Sequence, residues 1–330
     1  MTLRFFKPLS GIWKAETEAF LTSLGLRLAE NLDSTVLAIE DDKVIATGSR
    51  QGNIFKCIGV APAHQGDGLA ASIVTALVKE AFEENIRHLF LYTSPPNIPL
   101  FETLGFFLIV QAGQVALLEN KRDGVQNYVT SIRNPQAKGR IGCIVANCNP
   151  FTLGHRYLAE YAASKCDFVY FLVLSEDKSF FSADVRYRLA QEGLEHLSNV
   201  AVHLTGSYLV SQATFPDYFI KDKANIAGAY YDLDIAVFLE QFAKALNITT
   251  RFVGTEPRDA VTNGYNQRMK ELLPRSRVRL EEVPRLEAAQ ELISASTVRK
   301  LMQQGDFNAI KKYVPKVTLV YIAEVMARGV

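Results

Sequence analysis

The 330-residue chain has little excess of charge of either sign and no long apolar run. Lysine and arginine total 36 against 35 aspartate and glutamate residues, so the formal net charge is only +1. Without such an excess, no global electrostatic field favours nucleic acid or an anionic membrane, and any anion site must be local. No stretch approaches the roughly 18 consecutive apolar residues of a transmembrane helix, and the first residues lack an apolar signal segment. We therefore expect a cytoplasmic protein that binds neither membrane nor nucleic acid.

Cysteine is also scarce. None of the four cysteines, Cys57, Cys143, Cys148 and Cys166, forms a CxxC pair or stands in a histidine cluster. This spacing argues against a zinc site and a disulfide framework, and we predict buried free thiols and no metal-ligating cluster. What the chain does contain is 48% hydrophobic and 22% charged residues, which is typical of a globular protein with an ample core.

Residues 1–130 have the pattern of a compact α+β unit. An amphipathic helix is predicted near residues 10–24, and two β-rich runs flank Asp41-Asp42 as in a hairpin. A strand, a glycine-bearing loop, a helix and another strand follow. The polar segment 121–140 contains Gly, Pro and Asn and is interpreted as a linker, so we place the domain boundary near residue 130.

The second domain, residues 131–330, alternates apolar strands with helical patterns, which predicts an α/β fold with a parallel sheet and right-handed crossovers. The predicted strands span residues 141–147, 168–174, 200–204, 249–254 and 277–283. In such a sheet, ligands bind at the carboxyl ends of the strands. We therefore look for the site where these strands end.

The first of these strands ends at the stretch NPFTLGHRYL, which begins at Asn149. A helix N-terminus here offers unpaired N–H groups and a positive dipole to a phosphate. Thr152 adds a hydroxyl, Gly154 lets a ligand approach the backbone, and His155 offers an imidazole that can stabilise charge on phosphoryl oxygens. On its own, the stretch is better explained as a capped helix start with a partly buried histidine.

A second strand-to-helix turn lies in residues 291–307, ELISASTVRKLMQQGDF. Ser294, Ser296 and Thr297 stand at the predicted helix start, and Arg299 follows closely. Serine and threonine residues at a helix start commonly serve only as N-caps of the helix. Together with the first turn, however, they make a second anion cradle with a fixed cation suited to phosphate oxygens.

These segments resemble the nucleotidylyltransferase superfamily, which transfers AMP or CMP from a nucleoside triphosphate and releases pyrophosphate. TLGH is similar to the (H/T)xGH motif of that superfamily, and ISASTVR is similar to its ISSTxxR motif. Between them, SEDKSFFSADVRYRL places Lys178, Phe181 and Arg186 at matching positions, and the stretch from Gly254 to Asn266 resembles the lining of the base and ribose. Four matching segments in family order indicate this superfamily.

The resemblance implies roles for the residues of both turns. His155 and Thr152 would stabilise the transition state at the α-phosphate, and Arg299 would hold the β- and γ-phosphates, with pyrophosphate leaving together with Mg²⁺. Lys178 either reaches the acceptor or a phosphate, or is a solvated loop lysine. The implied nucleotide-binding residues are Asn149, Gly154, Gly254, Ser294, Ser296 and Thr297. Thr152 replaces the first histidine of the strict HxGH form, a replacement that the motif allows.

In the amino-terminal unit, HQGDGLAASIVTALV is similar to the Q/R-x-x-G-x-G/A loop of the GNAT acetyltransferases. That loop cradles the pyrophosphate of coenzyme A with backbone amides. SPPNIPLFETLGFF resembles the closing segment of the same family. The implied coenzyme-binding residues are Gln65, Gly66, Gly68, Ala70 and Asn97. Where many members carry a tyrosine that protonates the departing thiolate, this chain has Phe101, which has no proton to give.

A GNAT-like unit followed by this nucleotidylyltransferase unit resembles the acetate:citrate lyase ligase family over essentially the whole chain. The resemblance implies that ATP and acetate form acetyl-AMP, and that the acetyl group passes to the thiol of the coenzyme A-like group on the acyl carrier subunit of citrate lyase. The implied cofactors are ATP, Mg²⁺ and coenzyme A or a dephospho-coenzyme A-like group.

Two alternatives remain open at this point. The first is an adenylyltransferase that acts on a phosphopantetheine or nucleotide cofactor, with the amino-terminal unit as a coenzyme A sensor. The second is a non-catalytic module that senses ATP and acetyl-coenzyme A. Transfer of AMP to a phosphate-bearing acceptor without acetate would favour the first, and release of pyrophosphate would exclude the second.

Overall fold

The computed structural model describes residues 1–175, 179–209, 226–256, 259–288 and 291–327. The chain forms two compact units. The first contains Met1–Gln126 and, further along the chain, residues 226–236, whereas the second contains the rest of the described chain from Asn127 onward. The domain boundary near residue 130 stays a prediction. Within the described ranges, no helix combines the length and the apolar character needed to cross a membrane.

The first unit is built on a seven-stranded mixed sheet. Its strands are β1 (Thr2–Phe6), β2 (Ser34–Glu40), β3 (Lys43–Gln51), β4 (Ile54–Val60), β5 (Phe90–Thr93), β6 (Phe107–Ala112) and β7 (Val115–Glu119). They lie in the order β1-β2-β3-β4-β5-β7-β6, and all neighbours are antiparallel except the parallel pair β4 and β5. The predicted hairpin is confirmed, because Asp41 and Asp42 form the β2–β3 turn with φ of 46° and 56°.

Helices α1 (Gly11–Ser23), α2 (Leu69–Glu83) and α3 (Ile98–Thr103) complete this unit. Helix α1 confirms the helix predicted near residues 10–24. Ile73, Leu77 and Ala81 of α2 are fully buried in one core cluster with residues of the sheet, as their helical spacing predicts.

A buried ion pair fixes α2 against β3. Arg50 of β3 donates from Nε and Nη2 to the carboxylate of Glu80 at 2.7 and 2.8 Å, and the Lys7 ammonium lies 2.7 Å from the same group. Burial alone would raise the pKa of Glu80, but the hydrogen bonds from Arg50 and Lys7 lower it to about 2, so the carboxylate stays ionised. The helix that begins at the glycine-bearing loop is thus anchored at its far end.

The segment interpreted as a linker, residues 121–140, contains helix α4 (Gly124–Ile132). Val125, Val129 and Ile132 recur at helical spacing and are buried. Three apolar residues in a polar stretch indicate a helix only weakly, and the surrounding Gly, Pro and Asn residues favour the interpretation as a loop. The linker interpretation is therefore wrong for Gly124–Ile132.

The second unit is built on a five-stranded parallel sheet, as predicted. Its strands are β8 (Ile141–Ala146), β9 (Phe168–Val173), β10 (Val200–Leu204), β11 (Thr250–Gly254) and β12 (Arg279–Val283). They lie in the order β10-β9-β8-β11-β12 with every neighbouring pair parallel. Because β8 is central, the turn that follows it lies between the ends of β9 and β11.

The remaining elements are α5 (Leu153–Lys165), α6 (Ala183–Gly193), α7 (Ile226–Val237), α8 (Ala260–Leu272), β13 (Glu287–Ala288), β14 (Glu291–Leu292), α9 (Ala295–Gln303), α10 (Phe307–Ile310) and α11 (Lys316–Ala327). A π-helical stretch, Phe238–Ala243, continues α7. The prediction of buried free thiols is confirmed for Cys57, Cys143, Cys148 and Cys166.

Candidate active site

The turn after β8 leads into α5 through a reciprocal cap. Thr152 is the N-cap residue, and its Oγ1 accepts a hydrogen bond from the backbone N–H of His155 at 3.4 Å. In return, Nδ1 of His155 accepts the backbone N–H of Thr152 at 3.0 Å. This is a capping box in which histidine takes the place of the usual glutamate or glutamine, so the cap itself orients the imidazole.

The same hydrogen bond decides where the His155 ring carries its proton. Since Nδ1 accepts from a backbone N–H, the neutral ring carries hydrogen on Nε2. Burial and, to a smaller degree, the positive charge of Arg285 together lower the pKa of His155 to about 4. At neutral pH, His155 is therefore an uncharged ring with one N–H donor available to a ligand.

Aromatic packing holds the plane of this ring. Phe151 is fully buried and stacks on His155 with ring centroids 5.8 Å apart and 21° between the planes. A Cβ atom at Gly193 would lie 2.5 Å from the Phe151 ring, so only glycine lets α6 approach this closely. Sequence reasoning missed both residues, because a phenylalanine before a turn and a glycine at the end of a helix are ordinary packing features.

The second predicted turn begins α9 with a cluster of hydroxyl groups. Ser294 is the N-cap residue, and its Oγ accepts from the backbone N–H of Thr297 at 3.1 Å. The same Oγ lies 2.9 Å from the hydroxyl of Ser296 and 2.8 Å from that of Thr297. Among the described residues, the backbone N–H groups of Ala295 and Ser296 have no protein partner. Donors at a helix start are thus open toward a ligand.

The structure brings the two turns together. Arg299, in the first turns of α9, donates from Nη1 to the backbone carbonyl of Asn149. A Cβ atom at Gly154 would lie 3.6 Å from the carbonyl oxygen of Ile293, the residue before Ser294, so the start of α5 touches the approach to α9. Two segments that are distant in sequence therefore form one site at the carboxyl edge of the sheet, as the motifs predict.

The central segment of the resemblance is placed only in part. Lys178 lies outside the described residues. Arg186 is fully buried and donates to the carbonyls of Phe181 at 2.9 Å, Asn147 at 2.8 Å and Leu174 at 2.7 Å. It therefore holds the ends of β8 and β9 together and has a structural task, although its charge suggests a phosphate ligand.

A further cation lies where β11 and β12 end. Gly254 ends β11, and its carbonyl accepts from Asn266 Nδ2 at 3.1 Å. Arg285 follows β12, its backbone N–H donates to Thr255 Oγ1 at 3.3 Å, and its guanidinium forms an ion pair with Glu256, whose side chain is 6% exposed. Sequence reasoning missed Arg285. The available signal was its place two residues beyond the carboxyl end of a predicted parallel strand.

In the first unit, the glycine-bearing loop forms an open cradle before α2. Gly66 and Gly68 have φ of 100° and 76°, and a Cβ atom at either would meet nothing within 4 Å. Within the described part of the chain, the N–H groups of Gly66, Gly68 and Ala70 have no protein partner, and Gln65 is exposed. Successive free N–H groups at a helix start suit a diphosphate.

Asn97 and Phe101 lie at the other predicted contact of this unit. Asn97 is exposed and donates from Nδ2 to Thr93 Oγ1 at 3.3 Å and to Ser94 Oγ at 3.1 Å. Phe101 is buried in the core of the unit. The position at which many GNAT acetyltransferases carry a proton donor is thus filled by a packed hydrocarbon ring.

Comparison with known proteins covers nearly the whole chain. Residues 141–322 match the family model of the citrate lyase ligase C-terminal domain, and residues 7–106 match the acetyltransferase (GNAT) family. The chain is 39% identical to the citrate (pro-3S)-lyase ligase of Klebsiella pneumoniae over 313 residues, which is 93% of this chain and 92% of that protein. The citrate (pro-3S)-lyase ligase of Haemophilus influenzae is 38% identical, with 92% and 93% covered.

A more distant relative matches a smaller part. The phosphopantetheine adenylyltransferase of Streptococcus gordonii is 28% identical over 139 residues, which is 41% of this chain and 82% of that protein. Together with the mixed sheet of the first unit and the parallel sheet of the second, these matches confirm the predicted fold class, a GNAT-like α+β unit followed by an α/β nucleotidylyltransferase-like unit.

Proposed function

The chain belongs to the citrate lyase ligase family, and on that premise we propose that it uses ATP and acetate to acetylate the prosthetic-group thiol on the acyl carrier subunit of citrate lyase. The observation that carries this proposal is the meeting of two helix starts at one sheet edge, one with neutral His155 and the other with Arg299. We further propose a cytoplasmic location, which four free thiols and the need for ATP support.

The proposed chemistry has two steps. A carboxylate is a poor acyl donor until one of its oxygens becomes part of a good leaving group. In the first step, an acetate oxygen forms a bond to the α-phosphorus of ATP, the bond from that phosphorus to the bridging oxygen breaks, and pyrophosphate leaves with the electron pair. In the second, the carrier thiol gives its proton to solvent and its sulfur bonds to the carbonyl carbon of acetyl-AMP, while the bond from that carbon to the phosphate oxygen breaks and AMP leaves with the electron pair.

No proton moves in the first step, so the protein must mainly position anions and stabilise charge. We propose that the Nε2–H group of His155 donates to an α-phosphate oxygen and that Thr152, whose side chain is buried against the ring, is a positioning residue. Arg299, with the hydroxyls and free N–H groups at the start of α9, would hold the leaving pyrophosphate. Mg²⁺ arrives with ATP as part of the substrate, and Lys178 remains a candidate for the acceptor side.

The first unit would hold the pantetheine arm of the carrier. The open cradle at Gly66 and Gly68 suits the diphosphate of a coenzyme A-like group, and Asn97 lies exposed at the end of β5. Buried Phe101 supports a unit that presents a thiol rather than one that transfers acetyl groups to amines. The two units would therefore divide the reaction, with acetyl-AMP formed in the second and the thiol presented by the first.

The sharpest test of this function is ATP–pyrophosphate exchange with a panel of carboxylates from formate to butyrate, with and without a carrier thiol. We expect exchange that depends on acetate and does not need the carrier, because adenylylation precedes thiol attack. The weaker similarity to phosphopantetheine adenylyltransferase makes AMP transfer to phosphopantetheine the alternative to test, and that reaction would proceed without acetate. Failure to form any pyrophosphate would instead indicate a binding module.

The protonation state of His155 gives a second prediction. With a pKa of about 4, the ring stays neutral in the folded protein between pH 7 and 5, whereas an unfolded chain takes up a proton below about pH 6.5. The unfolded state then binds more protons, so this contribution lowers the free energy of unfolding as pH falls from about 6.5 toward 4. NMR titration of labelled histidine, with the His155→Gln spectrum to assign the signal, should show Nε2 protonated and no titration near pH 6.5. A His155 midpoint near 6.5 would contradict the proposed neutral donor.

A further inference from the structure

We propose that Arg285 binds the carboxylate of the acetate substrate and holds it for attack on the α-phosphorus. This inference rests on the proposed function, because it names the residue that receives the acceptor. A two-carbon substrate leaves no sequence motif of its own, so its binding residue has to be found from the charges and donors at the sheet edge.

Arg285 follows β12, and contacts with the end of β11 and with Glu256 hold it in place. Its backbone N–H donates to Thr255 Oγ1 at 3.3 Å, and its side chain lies along Gly254, where a Cβ atom would stand 3.7 Å from Cγ and 3.8 Å from Nε. The carboxylate of Glu256, which is 6% exposed, pairs with the terminal nitrogen Nη2. The backbone, the stem and one side of the guanidinium are therefore all fixed, and little entropy remains to be lost on binding.

The chain next to Arg285 reaches the turn that carries His155. The carbonyl of Leu286 accepts the backbone N–H of Ile293 at 3.0 Å, and Ile293 in turn lies against Gly154 at the start of α5. The electrostatic effect agrees with this path, since after burial the charge of Arg285 is the second cause that lowers the pKa of His155. Arg285 thus lies within electrostatic range of the ring that would contact the α-phosphate.

Arg299 and Arg285 differ in their charged neighbours, and this difference suits them to different anions of the reaction. Among the residues that the structure describes, Arg299 pairs with a backbone carbonyl and with no carboxylate, so it keeps its positive charge for a polyphosphate. The positive charge of Arg285 is only partly offset by Glu256, and the site therefore suits a small monoanion better than a triphosphate. Within the described ranges, Nε and Nη1 of Arg285 have no partner, whereas Arg186 is fully buried with its Nε and Nη1 bonded to carbonyls.

Those free donors fit a carboxylate. Because Nε–H and the Nη1 hydrogens point to different sides of the guanidinium, each of these groups can donate to one carboxylate oxygen, and such charge-assisted hydrogen bonds are among the stronger polar contacts. Contact through one oxygen leaves the other with its lone pairs for the phosphorus. The guanidinium also offsets the repulsion between acetate and the triphosphate, which both carry negative charge.

The test is steady-state ATP–pyrophosphate exchange by Arg285→Lys and by the double variant Arg285→Met with Glu256→Gln, which leaves no unpaired carboxylate buried. We expect the KM for acetate to rise at least about tenfold in the double variant, with a smaller rise for lysine. The KM for ATP, and ATP binding measured by calorimetry without acetate, should stay within about twofold. Arg279→Met, at the exposed amino-terminal end of β12, the strand that precedes Arg285, is the matched control and should leave both constants unchanged.

An unchanged KM for acetate in folded Arg285→Lys and double variants would overturn the inference while the proposed function stands. An equal rise in the KM for ATP would overturn it as well, because Arg285 would then hold the nucleotide. If the wild-type protein exchanges pyrophosphate without acetate, the proposed function fails and this assignment fails with it. Circular dichroism and melting temperature establish that each variant is folded.

Discussion

Replacing His155 by alanine is expected to lower acetate-dependent ATP–pyrophosphate exchange at least about a hundredfold while the protein stays folded. The imidazole is a preorganised donor, because the backbone N–H of Thr152 fixes its tautomer and Phe151 fixes its plane. One such donor aimed at developing charge contributes about 3 kcal/mol, which corresponds to a factor of about a hundred or more in rate. The loss should appear in kcat, since the contact strengthens as charge builds on the phosphoryl oxygens.

His196→Ala is the matched control for this variant. His196 lies in the same unit, is partly exposed and pairs with Glu160 at 2.9 Å on the surface. Its removal should leave exchange within about twofold of wild type. Exchange by His155→Ala close to the wild-type rate, at saturating ATP and acetate, would remove the imidazole from the mechanism and leave it as a helix cap.

The strands of the second unit could be predicted from sequence because a parallel strand covered on both faces is a continuous apolar run. Phe168–Val173 is the clearest case, with all six residues buried. Helix α4 could not be predicted in the same way. Its buried Val125, Val129 and Ile132 lie in a short polar segment, so the apolar period was too brief to outweigh the turn-forming residues around it.

The two turns of the site could also be predicted, since their chemistry is local. A cap, a glycine, a histidine and a hydroxyl cluster each stand within a few residues of a helix start. Arg285 and Gly193 could not be found by this route. Arg285 matters because the ends of β11 and β12 lie side by side, as the strand order β9-β8-β11-β12 shows. Gly193 matters because α6 packs closely against Phe151. Arg186 is the opposite case: its segment matches the superfamily, but the residue is a buried donor to backbone carbonyls and has a structural role.

The same reasoning predicts that the two partial reactions can be separated by mutation. Formation of acetyl-AMP would need only the second unit's residues, whereas transfer to the carrier would also need the cradle at Gly66 and Gly68. A variant that blocks the cradle should therefore leave one reaction running while it stops the other. Gly68 is the better place for it, because its own N–H is one of the loop's free donors and an added Cβ would have room, with nothing within 4 Å.

Gly68→Asp should lower acetylation of the carrier at least about a hundredfold while acetate-dependent pyrophosphate exchange stays within about twofold of wild type. The aspartate places a negative charge against the diphosphate of the prosthetic group, and juxtaposed like charges cost several kcal/mol. Gly113→Asp is the matched control, because Gly113 also has a positive φ, 55°, with nothing within 4 Å of an added Cβ, but lies in the β6–β7 turn. That variant carries the same charge and the same backbone strain and should acetylate the carrier normally.

The results of this pair of variants separate three mechanisms. If carrier acetylation falls and exchange survives, the first unit presents the thiol to an acetyl-AMP made elsewhere, as proposed. If Gly68→Asp abolishes exchange in a folded protein, the two sites are not separable and the division of labour is wrong. If carrier acetylation is undiminished, the loop does not bind the prosthetic group, and the free N–H groups of Gly66, Gly68 and Ala70 serve another ligand or none.

Gly68→Ala distinguishes charge from strain, since it introduces the unfavourable backbone conformation without the carboxylate and should keep most of the acetylation activity.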